Sequence, residues 1–324
     1  MRYISELIDE NRKKTRGKDC VLLKDRRRTG KQNKVNILAL GDVGGTVLTG
    51  MRLLGEGIIS RIGIYDVNEK MMRRYEREVN QIRFPDGRRL PYVEILSEDK
   101  LFDCDMFVFC ASKGVPPLGA SGDVRMAQLK ANCSLVSLYA GKAAAADFSG
   151  IFAVVSDPVD PLCKAALMEG LDPGQIQGYG LGVMNGRAAY FAEKEHRFGR
   201  YLTEGRAFGP HGEDLVIADS IKNYDDTVSR ELTALTVNSN METRSDGFKP
   251  YIAPAMSSGA ISITETLREN WNYSSVYLGY GLSGAFMGCR NRRIPEGIQI
   301  EDLPLEEELF QRIKRAYDGL KELL

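Results

Sequence analysis

The chain has 324 residues, with 44 Lys/Arg against 44 Asp/Glu and 43% hydrophobic residues. That length suits two domains with ample cores, and the zero net charge excludes whole-chain attraction to nucleic acid. No stretch approaches the ~20 apolar residues that span a bilayer, and the six scattered cysteines, without a C-x-x-C pair, fit a reducing cytoplasm and no structural zinc.

Residues 1–33 form a basic N-terminal extension. Residues 1–34 carry 12 Lys/Arg against 5 Asp/Glu, and the run Lys24-Asp25-Arg26-Arg27-Arg28-Thr29-Gly30-Lys31 reads as a solvated arm or one lying across a neighbouring subunit. Without an apolar h-region it is not a signal peptide, and its acids argue against a transit peptide.

The stretch Val35–Asp66 organises the rest. It reads as a strand, a glycine turn, a helix with Val47, Leu48, Met51 and Leu54 on one face, a second strand and a carboxylate. The turn Ala39-Leu40-Gly41-Asp42-Val43-Gly44-Gly45 has the A-x-G-x-x-G form. Gly41 would admit a pyrophosphate, Gly44 would let helix and strand approach, and the helix N-terminus would supply free N–H groups. Ala39 replaces the usual first glycine, which is tolerable if the turn keeps φ negative. Asp66 follows Gly44 by 22 residues, where its carboxylate can accept from both ribose hydroxyls and repel a 2′-phosphate. NAD is therefore expected over NADP. The cofactor-binding residues on this reading are Gly41, Asp42, Val43, Gly44 and Asp66, with Ala111, Ser112, Asn132 and Val155 at later strand ends.

A polar helix is expected over Asn68–Gln81, a turn at Phe84-Pro85-Asp86-Gly87, and strands at Met106–Ala111, Ser134–Tyr139 and Ile151–Val155. Repeated β-then-α units imply an α/β fold with a doubly wound parallel (Rossmann) sheet over 34–180. Ligands then sit beyond the carboxyl ends of the strands, at Ala111-Ser112, Tyr139-Ala140-Gly141 and Ser156-Asp157-Pro158. The Gly- and Pro-rich segment Lys113–Val124 is a candidate lid, with Arg125 behind it opening a helical pattern that reaches Asn132.

Past Gln177 the βα rhythm stops, and 181–324 reads as a second, α+β substrate domain. It has a candidate bend at Tyr251-Ile252-Ala253-Pro254 and a closing helix with Leu309, Ile313, Ala316, Leu320 and Leu323 on one face. Only two histidines occur. His196 lies in a charged run; His211 lies in the fixed turn Phe208-Gly209-Pro210-His211-Gly212, either as a polar turn residue or as a proton carrier. Arg187, after a glycine-rich approach, can grip a carboxylate bidentately. Arg125 could reach in and polarise a carbonyl.

Over residues 34–324 the chain resembles the lactate/malate dehydrogenase family. The matching pieces, in order, are the glycine turn with Asp66, Arg125 with Asn132, Val155-Ser156-Asp157-Pro158-Val159-Asp160, Arg187, Gly209-Pro210-His211-Gly212, Tyr251-Ile252-Ala253-Pro254-Ala255 and Leu303-Pro304-Leu305. The resemblance implies an NAD-dependent oxidoreductase interconverting a 2-hydroxy acid and a 2-oxo acid, assembled as a homodimer or homotetramer. It implies His211 as proton donor and acceptor, Arg187 as carboxylate anchor, Arg125 as carbonyl polariser and Asn132 near cofactor and substrate.

Three departures bear on specificity. Asp157 stands where the family has Asn, and Met184 stands where it has the Asp that pairs with the histidine. Asp157 is therefore expected to orient and charge-balance His211 in place of the missing partner. The lid offers Leu118 and Gly119, with Lys113 its only cation before Arg125, so an apolar or bulky 2-oxo acid is expected rather than one with a second carboxylate. The alternative is a catalytically decayed NAD-binding homologue serving as a sensor or assembly subunit.

Overall fold

A computed structural model of the chain describes residues 1–8, 20–21, 32–113 and 124–323. The expectations placed on the basic run 24–31 and on the loop through 114–123 lie outside the described residues, as does the side chain of Arg125.

Among the described residues, the strands are β1 (Cys20–Val21), β2 (Asn33–Leu38), β3 (Ile59–Tyr65), β4 (Tyr92–Ile95), β5 (Met106–Phe109), β6 (Ile151–Val154), β7 (Ile176–Gly178), β8 (Arg206–Phe208), β9 (Val216–Ala218), β10 (Asn272–Leu278), β11 (Ala285–Ile294) and β12 (Gly297–Ile300). The α-helices are α1 (Asp42–Leu54), α2 (Glu69–Asn80), α3 (Val124–Ala145), α4 (Val159–Met168), α5 (Leu181–Lys194), α6 (Tyr201–Glu204), α7 (Asp226–Asn238), α8 (Asn240–Ser245), α9 (Ser262–Leu267) and α10 (Glu307–Glu322), with a π-helical segment at Pro254–Ile261.

Ten strands form one sheet in the order β1-β12-β11-β10-β7-β6-β5-β2-β3-β4; β8 and β9 pair separately. From β4 across to β7 every pairing is parallel, because crossovers carry the chain back over the sheet between strands, through α1, α2, α3 and α4 and, from β4 to β5, through a segment with one 3-10 turn at Glu98–Lys100. Strands β5 and β6 are apolar throughout, as burial on both faces requires, and β2 is apolar over its buried length except at Asn36, whose Nδ2 donates to the Leu101 carbonyl at 2.8 Å. One core lies under α1, α2 and the π-helical segment, and a second lies under α3 and α4. The chain leaves β2 in one direction and β5 in the other, so their carboxyl ends open a crevice between them.

Apart from the small β8–β9 pair, the second half does not build a sheet of its own. Its antiparallel meander β10–β11–β12 continues the parallel one, joined where Ser275 of β10 pairs with Gly178 of β7. The described part of the N-terminal extension is tied to this end: Cys20 and Val21 pair with Ile300 and Gln299, and Arg2 bridges to Leu305.

Several expectations are corrected. Ser134–Tyr139 is not a strand but the middle of α3, and Tyr139-Ala140-Gly141 consequently lies on a helix, away from the strand ends. The buried residues Val136, Tyr139, Ala140 and Ala143 follow helical spacing, while Leu138 is exposed. The βα rhythm extends one strand further, to β7, which the buried polar Gln177 obscures in the sequence. Tyr92–Ile95, unforeseen, is the edge strand β4. Tyr251–Pro254 is the entry to a helical segment, with Pro254 at its first position, where its missing N–H is harmless. The face of α10 is buried at Leu309, Ile313, Ala316 and Leu320, whereas Leu323 lies beyond the helix and is exposed.

Candidate active site

The glycine turn joins β2 to α1. Ala39 adopts φ +72°, the left-handed region, so the condition of negative φ fails and the alanine carries a strain that glycine there would avoid. Gly44 is required by close approach, since a methyl there would lie 1.9 Å from the Ala39 carbonyl oxygen. A methyl on Gly41 would meet nothing within 4 Å, leaving the N-terminus of α1 open. Asp42 begins that helix, and its carboxylate is 3.3 Å from the Lys249 ammonium. Asp66 closes β3 with both oxygens engaged: Oδ2 accepts from the Leu40 amide at 2.7 Å and Oδ1 from the Asn68 amide at 2.8 Å.

Beyond these strand ends lies a crevice lined by residues from both halves of the chain. Val43, Cys110, Ser112, Val155, Ser156 and Asp157 face Tyr179, Gly180, His211, Pro254 and Ser258 across it. Burial pushes the Cys110 thiol up to about 12, so it lines the wall as an apolar group and not as a nucleophile.

His211 enters from the loop between β8 and β9. Gly209, at φ +91°, makes the bend, and its amide donates to the Gly288 carbonyl of β11 at 2.9 Å. This delivers His211 Nδ1 to 3.0 Å from Asp157 Oδ1. The imidazole side chain is 14% exposed and the Asp157 side chain 60% exposed, because the acid sits on the crevice floor, open to solvent yet ringed by protein. Withdrawal from bulk water works against both charges. For His211 the neighbouring Asp157 outweighs that effect, and proton affinity rises above the ordinary 6.5. For Asp157 the His211 charge, their hydrogen bond and Arg187 outweigh it, and the carboxyl is held below its ordinary range. An Nδ1–H donated to the acid leaves Nε2 free for a substrate oxygen.

Arg187, on α5, is buried at 8% exposure. Its Nη2 donates to Asn240 Oδ1 at the start of α8, and its Nη1 lies 3.4 Å from Met184 Sδ. These acceptors are neutral. Burial lowers its proton affinity and the charge of Asp157 partly restores it, but a guanidinium stays protonated at any ordinary pH. A buried cation with neutral partners is a standing demand for an anion. Met184, 1% exposed, packs in the apolar core, and Asn185 accepts from the Tyr201 hydroxyl at 2.9 Å. Neither serves the histidine.

Asn132 is fully buried on α3 and lies off the crevice lining. Its Nδ2 donates to the Asp157 carbonyl at 2.9 Å, and its Oδ1 accepts from the Lys113 amide at 3.0 Å, so it braces the backbone that carries the acid. Ser112 and Val155 line the crevice; Ala111 is buried and its carbonyl accepts from the Ser156 hydroxyl at 2.8 Å. Asn240 and Ser258 have no signal in the sequence. The Ser258 hydroxyl donates to the Gly180 carbonyl at 2.7 Å and accepts from the Val183 amide at 2.8 Å, pinning the start of α5. Among the described residues no cluster of His, Cys, Asp and Glu is suited to a metal.

The chain is similar to known proteins in sequence and in fold. The L-lactate dehydrogenase of Corynebacterium glutamicum (strain R) is 24% identical over 317 residues, spanning 90% of this chain and 96% of that protein. The L-lactate dehydrogenase of Treponema denticola is 30% identical over 193 residues, 59% of this chain and 58% of that protein's length. Among solved structures, a lactate dehydrogenase enzyme, MGS-M5, from a Medee basin deep-sea metagenome library superposes with a TM-score of 0.74 at 18% identity, covering 91% of this chain and 98% of that one. The malate dehydrogenase of Picrophilus torridus in its apo form gives 0.71 at 18% identity, covering 90% and 96%. No family model matches the chain. In sequence the chain is similar to L-lactate dehydrogenases, and in fold to lactate and malate dehydrogenases. The acid beside His211 comes from the segment before α4 and not from α5.

Proposed function

We propose that the chain is an NAD-dependent dehydrogenase interconverting a 2-hydroxy acid and a 2-oxo acid whose far end is apolar. The observation that carries this reading is the His211–Asp157 pair at 3.0 Å on the floor of the crevice, with Arg187 buried close enough for its charge to act on Asp157. We take residues 34–180 as the cofactor half and 181–324 as the substrate half.

The residues present fit a dinucleotide. Gly41 leaves open space, and the first-turn amides of α1 at Asp42, Val43 and Gly44 lack intrahelical acceptors and suit a diphosphate. Asp66 retains lone pairs for ribose hydroxyls beside its two backbone bonds. When bound, the nicotinamide supplies or accepts the hydride at the substrate's C2.

This chain's residues do the rest. Arg187 would bind the substrate carboxylate and fix its orientation. His211, as imidazolium, donates its Nε2 proton to the 2-oxo oxygen as the C–H bond forms, and takes it back when the 2-hydroxy acid is oxidised. Asp157 holds the ring through Nδ1 and balances its charge without itself changing protonation. The carboxylate that would repel a carbonyl oxygen is thus turned toward the histidine. Arg125 is assigned the task of polarising that carbonyl.

The test is to titrate the protein with NADH by fluorescence and then to screen 2-oxo acids for NADH oxidation. Pyruvate and its longer apolar homologues should be turned over in preference to oxaloacetate, and Arg187→Ala should raise KM steeply. NADH binding without turnover of any 2-oxo acid supports the sensor role instead.

A further inference from the structure

Three residues after Asp157, in the first turn of α4, Asp160 is 4% exposed and its Oδ1 makes no hydrogen bond. A buried carboxyl with an unmatched oxygen is destabilising, and more so when ionised. Asparagine would satisfy a packing role with less penalty, so a purely structural account leaves the acid unexplained.

Its surroundings place it behind the crevice. A methyl on Gly178 would lie 2.9 Å from Cys163 Sγ and 3.0 Å from Ser275 Cβ, and one on Gly180 would lie 3.0 Å from His211 Cβ. These two glycines let α4, β10 and the His211 loop converge on one spot. The groups facing His211 are Asp157 and Asp160 from the α4 segment and Arg187 from α5. Those facing Asp160 are His211, Asp157, the Ser275 hydroxyl of β10 and Cys163 one turn along.

We propose that Asp160 is a positioning residue for proton transfer: a second carboxyl, set behind Asp157, that governs how firmly the His211 imidazole holds its proton. The inference rests on the reading of His211 as proton carrier. Burial pushes the Asp160 carboxyl up to about 7, against the Ser275 hydrogen bond and the His211 charge, which favour its ionised form. It therefore changes charge in the range where His211 works, and the two titrate as one coupled system. As pH rises, Asp160 gives up its proton. The negative charge left behind supports the imidazolium and keeps a donor available for oxo-acid reduction above neutrality.

Only two histidines occur, and His196 is exposed, so it serves as an internal reference. The full chain, labelled with 13C in its histidine rings, is titrated by NMR without substrate. In the unaltered protein the His211 curve should depart from a single-site shape with a midpoint above the ordinary 6.5. Asp160→Asn should give a single-site curve with the midpoint lowered by about half a pH unit or more, leaving His196 unmoved. Ser275→Ala, which removes the hydroxyl that favours ionised Asp160, should shift His211 the same way by less. An unaltered His211 midpoint in folded Asp160→Asn overturns the proposal, and if that variant does not fold, Ser275→Ala decides by the same criterion. Because the readout is proton affinity alone, failure to find a turned-over 2-oxo acid leaves this result standing, and the reverse also holds.

Discussion

Asp157 carries a charge where the resemblance leads one to expect a neutral Asn, and the geometry accounts for it through the ring it touches. Removing that charge should be felt twice. Asp157→Asn should lower oxo-acid reduction at neutral pH by about ten- to a hundred-fold, and the alkaline decline of kcat/KM should begin at lower pH, as a profile of NADH oxidation against pH would show. The stability effect has a defined window. His211 holds its proton more tightly when folded, so its share is complete below 6.5 and fades as pH rises through the raised value. Asp157 is held below 3.8, so its share is present above that value and is lost as pH falls through the lowered one. The stability difference between the unaltered protein and Asp157→Asn should therefore be greatest between those limits, measured by urea unfolding at a series of pH values. The pairing of Asp157 with His211 was legible in the sequence, because a missing acid at Met184 and a new one at Asp157 are complementary departures. Asn240 was not legible, since an asparagine at a short helix start has no pattern to mark it. Asp160 was visible only as part of a motif; its unmatched oxygen is a property of packing.

Elements were legible where one period dominates. The unit β2–α1–β3 follows from apolar runs flanking a glycine turn. α3 misleads because Leu135, Val136, Leu138 and Tyr139 make Ser134–Tyr139 a short apolar run that passes for a strand, while its true face, Val136, Tyr139, Ala140 and Ala143, extends past that run and is closed by small alanines. The two assignments predict different mutants. A strand would bury Val136 and Leu138 together, whereas the helix buries Val136 completely and leaves Leu138 51% exposed. Val136→Ala should cost about 2 kcal/mol, and Leu138→Ser should stay within about 0.5 kcal/mol, both read from urea denaturation midpoints. β7 escaped for the opposite reason: it has three residues, and its middle one, Gln177, is buried in hydrogen bonds to Ser274 and Asn291.

Across the molecule, the two halves share a sheet as well as a crevice, which no local pattern announces. The long-range pairing of Ser275 with Gly178 depends on which strands happen to meet. Because Val43 and Val155 face Pro254, Ser258 and His211 across the same opening, a bound cofactor would touch both halves at once. NADH at a hundredfold excess over its Kd should therefore stabilise the chain by about 2.7 kcal/mol, seen as a rise in Tm that NADPH does not match.

The fastening of Asp66 to the Leu40 and Asn68 amides bears on any attempt to re-engineer the nucleotide preference. Held from two directions, the acid is fixed in place, and on the proposed NAD-dependent function it would stand as an obstacle to a phosphorylated ribose. The same bolts make it hard to replace. Exchanging it for a small or basic residue would strip two main-chain donors of their acceptor and slacken the glycine loop, so a coenzyme switch here calls for a redesigned loop and not a single swap.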